Sequence, residues 1–155
     1  VDVITDADWA TLDSSDGIIF GCPTYMGSAS AKFKEFTEKA SGRWMKQVWK
    51  DKIAAGFTNS GSLSGDKLNT LFQLAVNAMQ HSMIWVGTGM QAPFLKGVEA
   101  PGSTELNRVG SYIGVASQSN NEPAEMVPPS GDLETARLFG KRVAEITQQF
   151  KKGAS

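Results

Sequence analysis

Two segments of small, polar and aromatic residues have compositions suited to ligand binding. Residues 22–27 (CPTYMG) follow one short apolar run, and residues 59–65 (NSGSLSG) follow another. Backbone N–H groups in such segments bind ligands where a helix begins directly behind them, and Gly27 lets a flat ligand approach the chain closely. The composition therefore suggests a cofactor site built from two loops.

Each segment lies between an expected strand and an expected helix. Residues 18–20 (IIF) are too few for a buried helix, so they predict a strand, which Pro23 is expected to stop. Ser28 or Ser30 then caps an amphipathic helix. The second segment is followed in the same way by a helix that starts at Asp66.

This alternation continues along the chain. Residues 83–86 predict a third strand, residues 112–116 predict an interrupted one, and a last helix is expected to start near Asp132. Strands that alternate with helices predict an α/β fold with a doubly wound, mostly parallel sheet, and such sheets bind ligands at the carboxyl ends of their strands. Both polar segments lie at such ends.

Composition limits the class of protein. The 155 residues are 41% hydrophobic, which is enough for one globular domain with a buried core. The balance of 15 basic and 16 acidic residues argues against nucleic acid or a membrane surface as a partner. No apolar run reaches the roughly 20 residues of a membrane span, and the single cysteine, Cys22, suits a reducing, cytoplasmic location.

Several kinds of chemistry lack the residues they need. Residues 60–65 contain no P-loop lysine, and residues 87–89 (GTG) do not continue into a third dinucleotide-binding glycine. His81 is the single histidine, so no metal site is expected. A nucleophilic pair of Cys22 and His81 stays open beside simpler interpretations, in which Cys22 is a core residue and His81 a helix-end residue.

Four groups of residues occur in the order seen in one protein family. Residues 22–28, Trp44, residues 58–62 and residues 81–83 resemble the motifs of flavodoxin-like NAD(P)H:quinone oxidoreductases of the tryptophan-repressor-binding-protein type, within the NADPH-dependent FMN reductase family. The resemblance implies a flavodoxin-like, three-layer α/β/α fold, FMN as cofactor and NAD(P)H as co-substrate. It also implies that Trp44 lines the substrate pocket. The implied FMN contacts are Pro23, Thr24, Tyr25, Met26, Gly27, Thr58, Asn59, Ser60, Gly61, Ser62 and His81.

The implied activity is the transfer of two electrons from NAD(P)H to a quinone or a similar small-molecule acceptor. The flavin itself would carry this chemistry, so no catalytic acid or base is required of the protein. The resemblance further implies a homo-oligomer, a tetramer or a dimer, whose sites are completed by neighbouring subunits. Residues 87–131, which show no sustained periodicity, are the expected contributor.

Two features depart from the family pattern. Tyr25 stands where arginine is common, and the family's first strand with its phosphate-binding loop has no counterpart in residues 1–12. An opening unit of that kind needs roughly 30 or more residues. We therefore expect one flavodoxin-like domain over residues 1–155 that is N-terminally incomplete, in a natural chain that continues upstream with an apolar strand and a Ser/Thr/Gly-rich loop.

Two other functions stay open. A flavodoxin-type electron carrier would share the fold and the cofactor. Such carriers are strongly acidic by family resemblance, so the net charge of -1 argues against this function. The other alternative is a flavin-free flavodoxin-fold protein that binds another protein.

Overall fold

The computed structural model describes residues 4–98 and 100–153. Within these ranges the helices are α1 Asp6–Ser14, α2 Ala31–Lys39, α3 Ser41–Met45, α4 Lys67–Gln80 and α5 Ser130–Gly153. The strands are β1 Gly17–Tyr25, β2 Ser28–Ala29, β3 Ile53–Ser60, β4 Ile84–Trp85 and β5 Val115–Gln118, with a short 3-10 helix at Pro93–Lys96. None of the helices described is long and apolar enough to cross a membrane.

Strand β3 is the centre of the sheet. β1 pairs with it in parallel over residues 17–23, and β4 and β5 pair in parallel with its other edge. β4 lies beside residues 53–54 of β3, whereas β5 lies beside residues 57–60. β4 and β5 correspond to the third strand and the interrupted strand predicted from the sequence. They thus lie on the same side of β3 and pair with different parts of it. The predicted mostly parallel, doubly wound sheet is confirmed.

Helices cover both faces of the sheet. On one face Trp9 of α1, Phe36 of α2 and the fully buried Trp49 pack together against β1. On the other face α5 contributes Phe139 and Val143 to a second apolar core. The sheet therefore lies between two helical layers, and the predicted three-layer α/β/α arrangement is confirmed.

Strand β1 runs further than the sequence predicted. Pro23 does not stop it, because Pro23 pairs with Asn59 of β3 and β1 ends only at Tyr25. Proline is tolerated in edge strands. β1 is an edge strand along residues 17–23, because its other strand partner in the described ranges, β2, pairs only with Thr24 and Tyr25. The first predicted loop is therefore a strand end followed by a tight hairpin turn.

The outer edge of β1 and the sheet face beside it are open within the described part of the chain. Ile19 and Phe57 lie on that face, on the same side as α5, and are 42% and 47% exposed. Exposed strand edges next to apolar side chains are surfaces that proteins usually cover. The N-terminal strand expected from the sequence stays a prediction.

Met26 and Gly27 form the two-residue turn of the hairpin, with backbone φ angles of 50° and 74°. Left-handed backbone costs a residue with a Cβ about 1–2 kcal/mol, and asparagine tolerates it better than methionine does. Because the Met26 side chain is fully exposed, Met26→Asn should raise the free energy of unfolding by about 0.5–1 kcal/mol in urea denaturation. Gly27→Ala is the opposing control and should lower it. A Met26→Asn variant less stable than the wild type would contradict the turn.

Candidate functional site

The β1–β2 turn and the segment after β3, residues 59–66, meet at the carboxyl edge of the sheet. Asn69 of α4 donates from Nδ2 to the Gly27 carbonyl over 2.7 Å. One turn further along α4, Gln73 Oε1 accepts a hydrogen bond from the Ser28 hydroxyl over 3.1 Å. Helix α4 begins where the second segment ends, so it fixes both segments at once.

Three buried threonines join the strands to α4 beneath the two segments. Thr24 Oγ1 lies 2.8 Å from both Thr58 Oγ1 and Thr70 Oγ1, and the Thr58 hydroxyl donates to the Cys22 carbonyl over 2.8 Å. Thr24 and Thr58 are both predicted cofactor contacts. Since their hydroxyls are used inside the protein, these hydroxyls do not face a ligand.

Asn59 and Ser60 lie at the end of β3. Asn59 Oδ1 accepts hydrogen bonds from the hydroxyls of Ser117 and Ser119, over 2.8 and 3.2 Å, so this side chain is turned toward the strand end of β5. The Ser60 hydroxyl is buried and has no partner among the described atoms. Buried polar groups are nearly always hydrogen-bonded, so Ser60 Oγ is a group that a bound ligand would satisfy.

Lys67 and Gln118 hold the next three residues, 61–63. Gln118 Nε2 donates to the Gly61 carbonyl over 2.9 Å, and Lys67 Nζ donates to the carbonyls of residues 62 and 63. Burial lowers the pKa of Lys67 below its ordinary value of 10.5; the charge of Asp132 opposes this shift and that of Arg108 adds to it. The carbonyls of residues 62 and 63 are thus held by the buried ammonium of Lys67.

Four residues that support this segment were not predicted from the sequence: Lys67, Arg108, Gln118 and Asp132. Charged and amide side chains at the ends of helices and strands or in a long connection normally face solvent, so their types and spacing do not reveal a buried network. One signal was available. Lys67 is the single charged residue of α4, on a helix whose other polar residues are neutral.

His81 lies at the opposite edge of the sheet, where the strands begin. It caps the C-terminus of α4, whose 14 residues span about 21 Å from the segment 59–66. The imidazole is buried and packs on Trp49, with 4.4 Å between the ring centroids, and Nδ1 has no partner among the described atoms. Within one chain His81 therefore does not join the two segments.

Trp44, the predicted wall of the substrate pocket, lies near His81. It belongs to α3, at the end of α2 that is remote from the hairpin, and is 44% exposed. Gln47 donates to the Trp44 carbonyl over 2.8 Å and accepts from the Ser82 hydroxyl over 2.6 Å. The structure thus divides the predicted site residues into a group of ten at the carboxyl edge and a pair, Trp44 and His81, at the other edge.

A nucleophilic pair of Cys22 and His81 is excluded by the same geometry. Cys22 points into the core beneath the hairpin, and burial raises the pKa of its thiol, which disfavours the reactive thiolate. His81 lies across the length of α4 from it. Cys22 is a core residue.

The carboxyl edge suits the binding of a flat ring better than acid–base catalysis. The Tyr25 ring is 65% exposed at the end of β1, and residues 61–64 are exposed beside the unpartnered hydroxyl of Ser60. An aromatic surface, a free hydroxyl and exposed backbone fit the isoalloxazine ring of FMN. A groove of about 550 Å³ between α2 and α4 contains none of the predicted residues.

Comparison with known proteins identifies the family. Residues 8–92, more than half of the chain, match the sequence model described as NADPH-dependent FMN reductase. The chain belongs to the NADPH-dependent FMN reductase family. The resemblance inferred from the sequence is thereby confirmed, and FMN-dependent oxidoreduction is the class of chemistry to which this membership points.

Two similar proteins are longer than this chain, which covers only part of each. Flavodoxin FldP of Pseudomonas aeruginosa strain UCBPP-PA14 is 42% identical over 147 residues, which cover 95% of this chain and 78% of that protein. The NAD(P)H dehydrogenase (quinone) of Archaeoglobus fulgidus is 35% identical over 139 residues, which cover 90% of this chain and 63% of that protein.

A solved structure confirms the flavodoxin-like fold. The flavodoxin, WrbA-like protein from Agrobacterium tumefaciens matches with a TM-score of 0.70 at 41% sequence identity. The match covers 94% of this chain and 74% of that one.

The buried His81 predicts a pH dependence of stability. Burial lowers its pKa below the ordinary value of 6.5, so below that pH the unfolded chain binds a proton that the folded chain does not. The free energy of unfolding should therefore fall as the pH drops from about 7.5 to about 5.5, by no more than about 1.4 kcal/mol per pH unit. His81→Gln, which cannot titrate, should lose this part of the slope. Equal slopes for the two proteins in denaturant titrations would contradict a neutral, buried His81.

Proposed function

We propose that this chain binds FMN at the carboxyl edge of its sheet and transfers two electrons from NAD(P)H to a quinone or a similar small acceptor. The observation that carries the proposal is the meeting of the two predicted segments on α4, in a chain of the FMN reductase family. The relative from A. fulgidus, which is named NAD(P)H dehydrogenase (quinone), supports the donor and the acceptor.

Residues 23–27 and 58–62 would hold the flavin. Tyr25 offers an exposed aromatic surface, Ser60 a buried hydroxyl without a partner, and the segment that follows offers backbone groups. FMN, when bound, supplies the two-electron redox chemistry itself. The protein's task is to fix the ring, and the buried hydroxyls of Thr24 and Thr58 keep the two segments in place for this task.

Trp44 and His81 enter this proposal through a neighbouring copy of the chain. A ligand at the carboxyl edge is about one length of α4 away from them within a single chain. The outer face of α4 carries a stripe of exposed apolar side chains without a charge, which supports association with a second copy. The stripe consists of Leu68, Phe72, Val76 and Met79. A homo-oligomer would in this way bring Trp44 of one copy to the flavin of another.

A second candidate function is that of an electron carrier. The relative from P. aeruginosa, at 42% identity, is named a flavodoxin, which favours this candidate. A carrier would bind FMN without oxidising NAD(P)H by itself. The net charge of -1 and the presence of Trp44 on an exposed surface support the reductase instead.

Flavin binding followed by a turnover assay tests the two candidates. Purified full-length protein mixed with FMN should retain the flavin after gel filtration, and it should oxidise NADPH or NADH much faster with benzoquinone than without it. Retained flavin without NAD(P)H oxidation would support the carrier. Failure to retain flavin would contradict both.

Trp44→Ala tests the substrate wall. An aromatic wall contributes contact area to the acceptor but not to the flavin, so the variant should lower kcat/KM for benzoquinone by about tenfold and change the FMN Kd by less than about twofold. Met45→Ala, one residue along and more exposed, is the matched control and should leave both constants unchanged. Unchanged quinone kinetics in Trp44→Ala would show that this side chain has a structural role and does not contact the acceptor.

A further inference from the structure

The segment 61–64 has an unusual backbone orientation. Three successive carbonyls, those of residues 61–63, point inward and accept hydrogen bonds from Gln118 Nε2 and Lys67 Nζ. In a trans peptide the C=O of one residue and the N–H of the next point in opposite directions. The N–H groups of Ser62, Leu63 and Ser64 therefore point outward. No hydrogen bond in the described part of the chain uses them as donors.

Outward N–H groups in a row form a concave donor surface that suits an electron-rich ligand edge. The flavin ring has such an edge, made of carbonyl oxygens and ring nitrogens. Without the inward donors, each peptide plane of this exposed segment would be free to rotate, because nothing else in the described ranges bonds to these three carbonyls. The orientation of the donor surface thus depends on two side chains.

Gln118 is itself held by a buried ion pair. Arg108 binds Asp132 with both Nε and Nη2, over 2.8 and 3.0 Å, and its two terminal nitrogens lie 3.3 and 3.2 Å from Gln118 Oε1. Asp132 Oδ2 also accepts from the Gln118 backbone N–H over 2.8 Å. The Gln118 amide therefore has one orientation, with its oxygen toward Arg108 and its nitrogen toward the Gly61 carbonyl. A fork of this kind is geometrically specific.

Lys67 is the second support. Its side chain is 2% exposed, it lies in the first turn of α4, and its ammonium is shared between the carbonyls of Ser62 and Leu63. A buried ammonium without such acceptors would be costly, so the contact constrains the segment as much as it solvates the lysine. The positive charge also lies directly behind the outward N–H groups.

We propose that Lys67 and Gln118 are positioning residues for the flavin: they hold the carbonyls of residues 61–63 inward so that the next three N–H groups face the ligand. This inference rests on the proposed function, because the ligand is the FMN of that site. Arg108 and Asp132 act one step further away, by fixing the Gln118 amide. The connection between β4 and β5, which carries Arg108, thereby contributes to the site from within the same chain.

Two substitutions test the proposal in the full chain. Lys67→Met removes the ammonium but keeps an unbranched apolar stem of similar length. Gln118→Glu keeps an oxygen for Arg108 but cannot donate to the Gly61 carbonyl. Each should raise the FMN Kd, measured by quenching of flavin fluorescence, by about tenfold. Lys67→Met loses hydrogen bonds from a charged group, and Gln118→Glu places an acceptor oxygen where a donor faced the Gly61 carbonyl. Lys141→Met, on the exposed face of α5, is the control and should not change the FMN Kd.

A second measurement, made without FMN, separates positioning from general stability. The ¹⁵N order parameters of residues 61–64 should fall from about 0.85, typical of rigid backbone, to below about 0.6 in Lys67→Met, while thermal unfolding shows that the variant stays folded. A folded Lys67→Met that keeps its order parameters, or that loses them and binds FMN as the wild type does, would overturn the proposal. Wild-type protein that does not bind FMN would overturn the proposed function itself, whereas wild type and variants that bind equally would overturn this inference alone.

Discussion

The contact among Thr24, Thr58 and Thr70 is the constraint on which the site depends. Each hydroxyl is buried, and a buried hydroxyl without a partner would cost free energy, so the three can be satisfied only when β1, β3 and α4 are in register. That register places the hairpin turn beside the segment after β3. The two segments that would hold the flavin are thus positioned by hydrogen bonds beneath them and not by contacts with each other.

The second constraint is the length of the helices that run alongside the strands, from the carboxyl edge of the sheet to the end where the strands begin. α2 and α4 begin at the carboxyl edge and end where the strands begin, so a residue at a helix start and a residue at a helix end cannot share a small ligand. The family motif contains both kinds of residue, since Gly27 and Ser62 lie at one edge and Trp44 and His81 at the other. Under the proposed function, a site that includes both groups would need a second chain, and the uncharged apolar stripe on α4 is a surface that would favour its association.

Most of the fold could be predicted from local sequence patterns. The order of strands, loops and helices follows from short apolar runs that precede polar segments. Ser28 or Ser30 was predicted to cap α2, and the structure has Ser30 in that role, because capping is a local interaction. The start of α4 next to Asp66 was predicted from the apolar periodicity behind it, and the Asp66 side chain makes no capping hydrogen bond. The extension of β1 through Pro23 was not predicted, because a strand tolerates proline only where it lies at the edge of a sheet, which depends on the tertiary structure. The division of one edge position between β4 and β5 likewise depends on pairing across the chain.

The site was predicted less completely than the fold. Type and spacing indicated the two segments but not which atoms face a ligand, and the hydroxyls of Thr24 and Thr58 proved to be internal. The inward support from Lys67 and Gln118 joins residues 51 positions apart, a relation that no local pattern contains. Cytoplasmic location and oligomeric state stay predictions, because no contact within one chain bears on them.

Mapping the bound flavin onto the backbone tests the central claim most directly. In a titration of ¹⁵N-labelled protein with FMN, the account predicts that the largest amide shift changes fall in residues 24–28 and 60–64, on either side of the buried threonines. Changes centred instead on the groove between α2 and α4, around Phe33 and Asn77, with the carboxyl-edge amides unmoved, would contradict it.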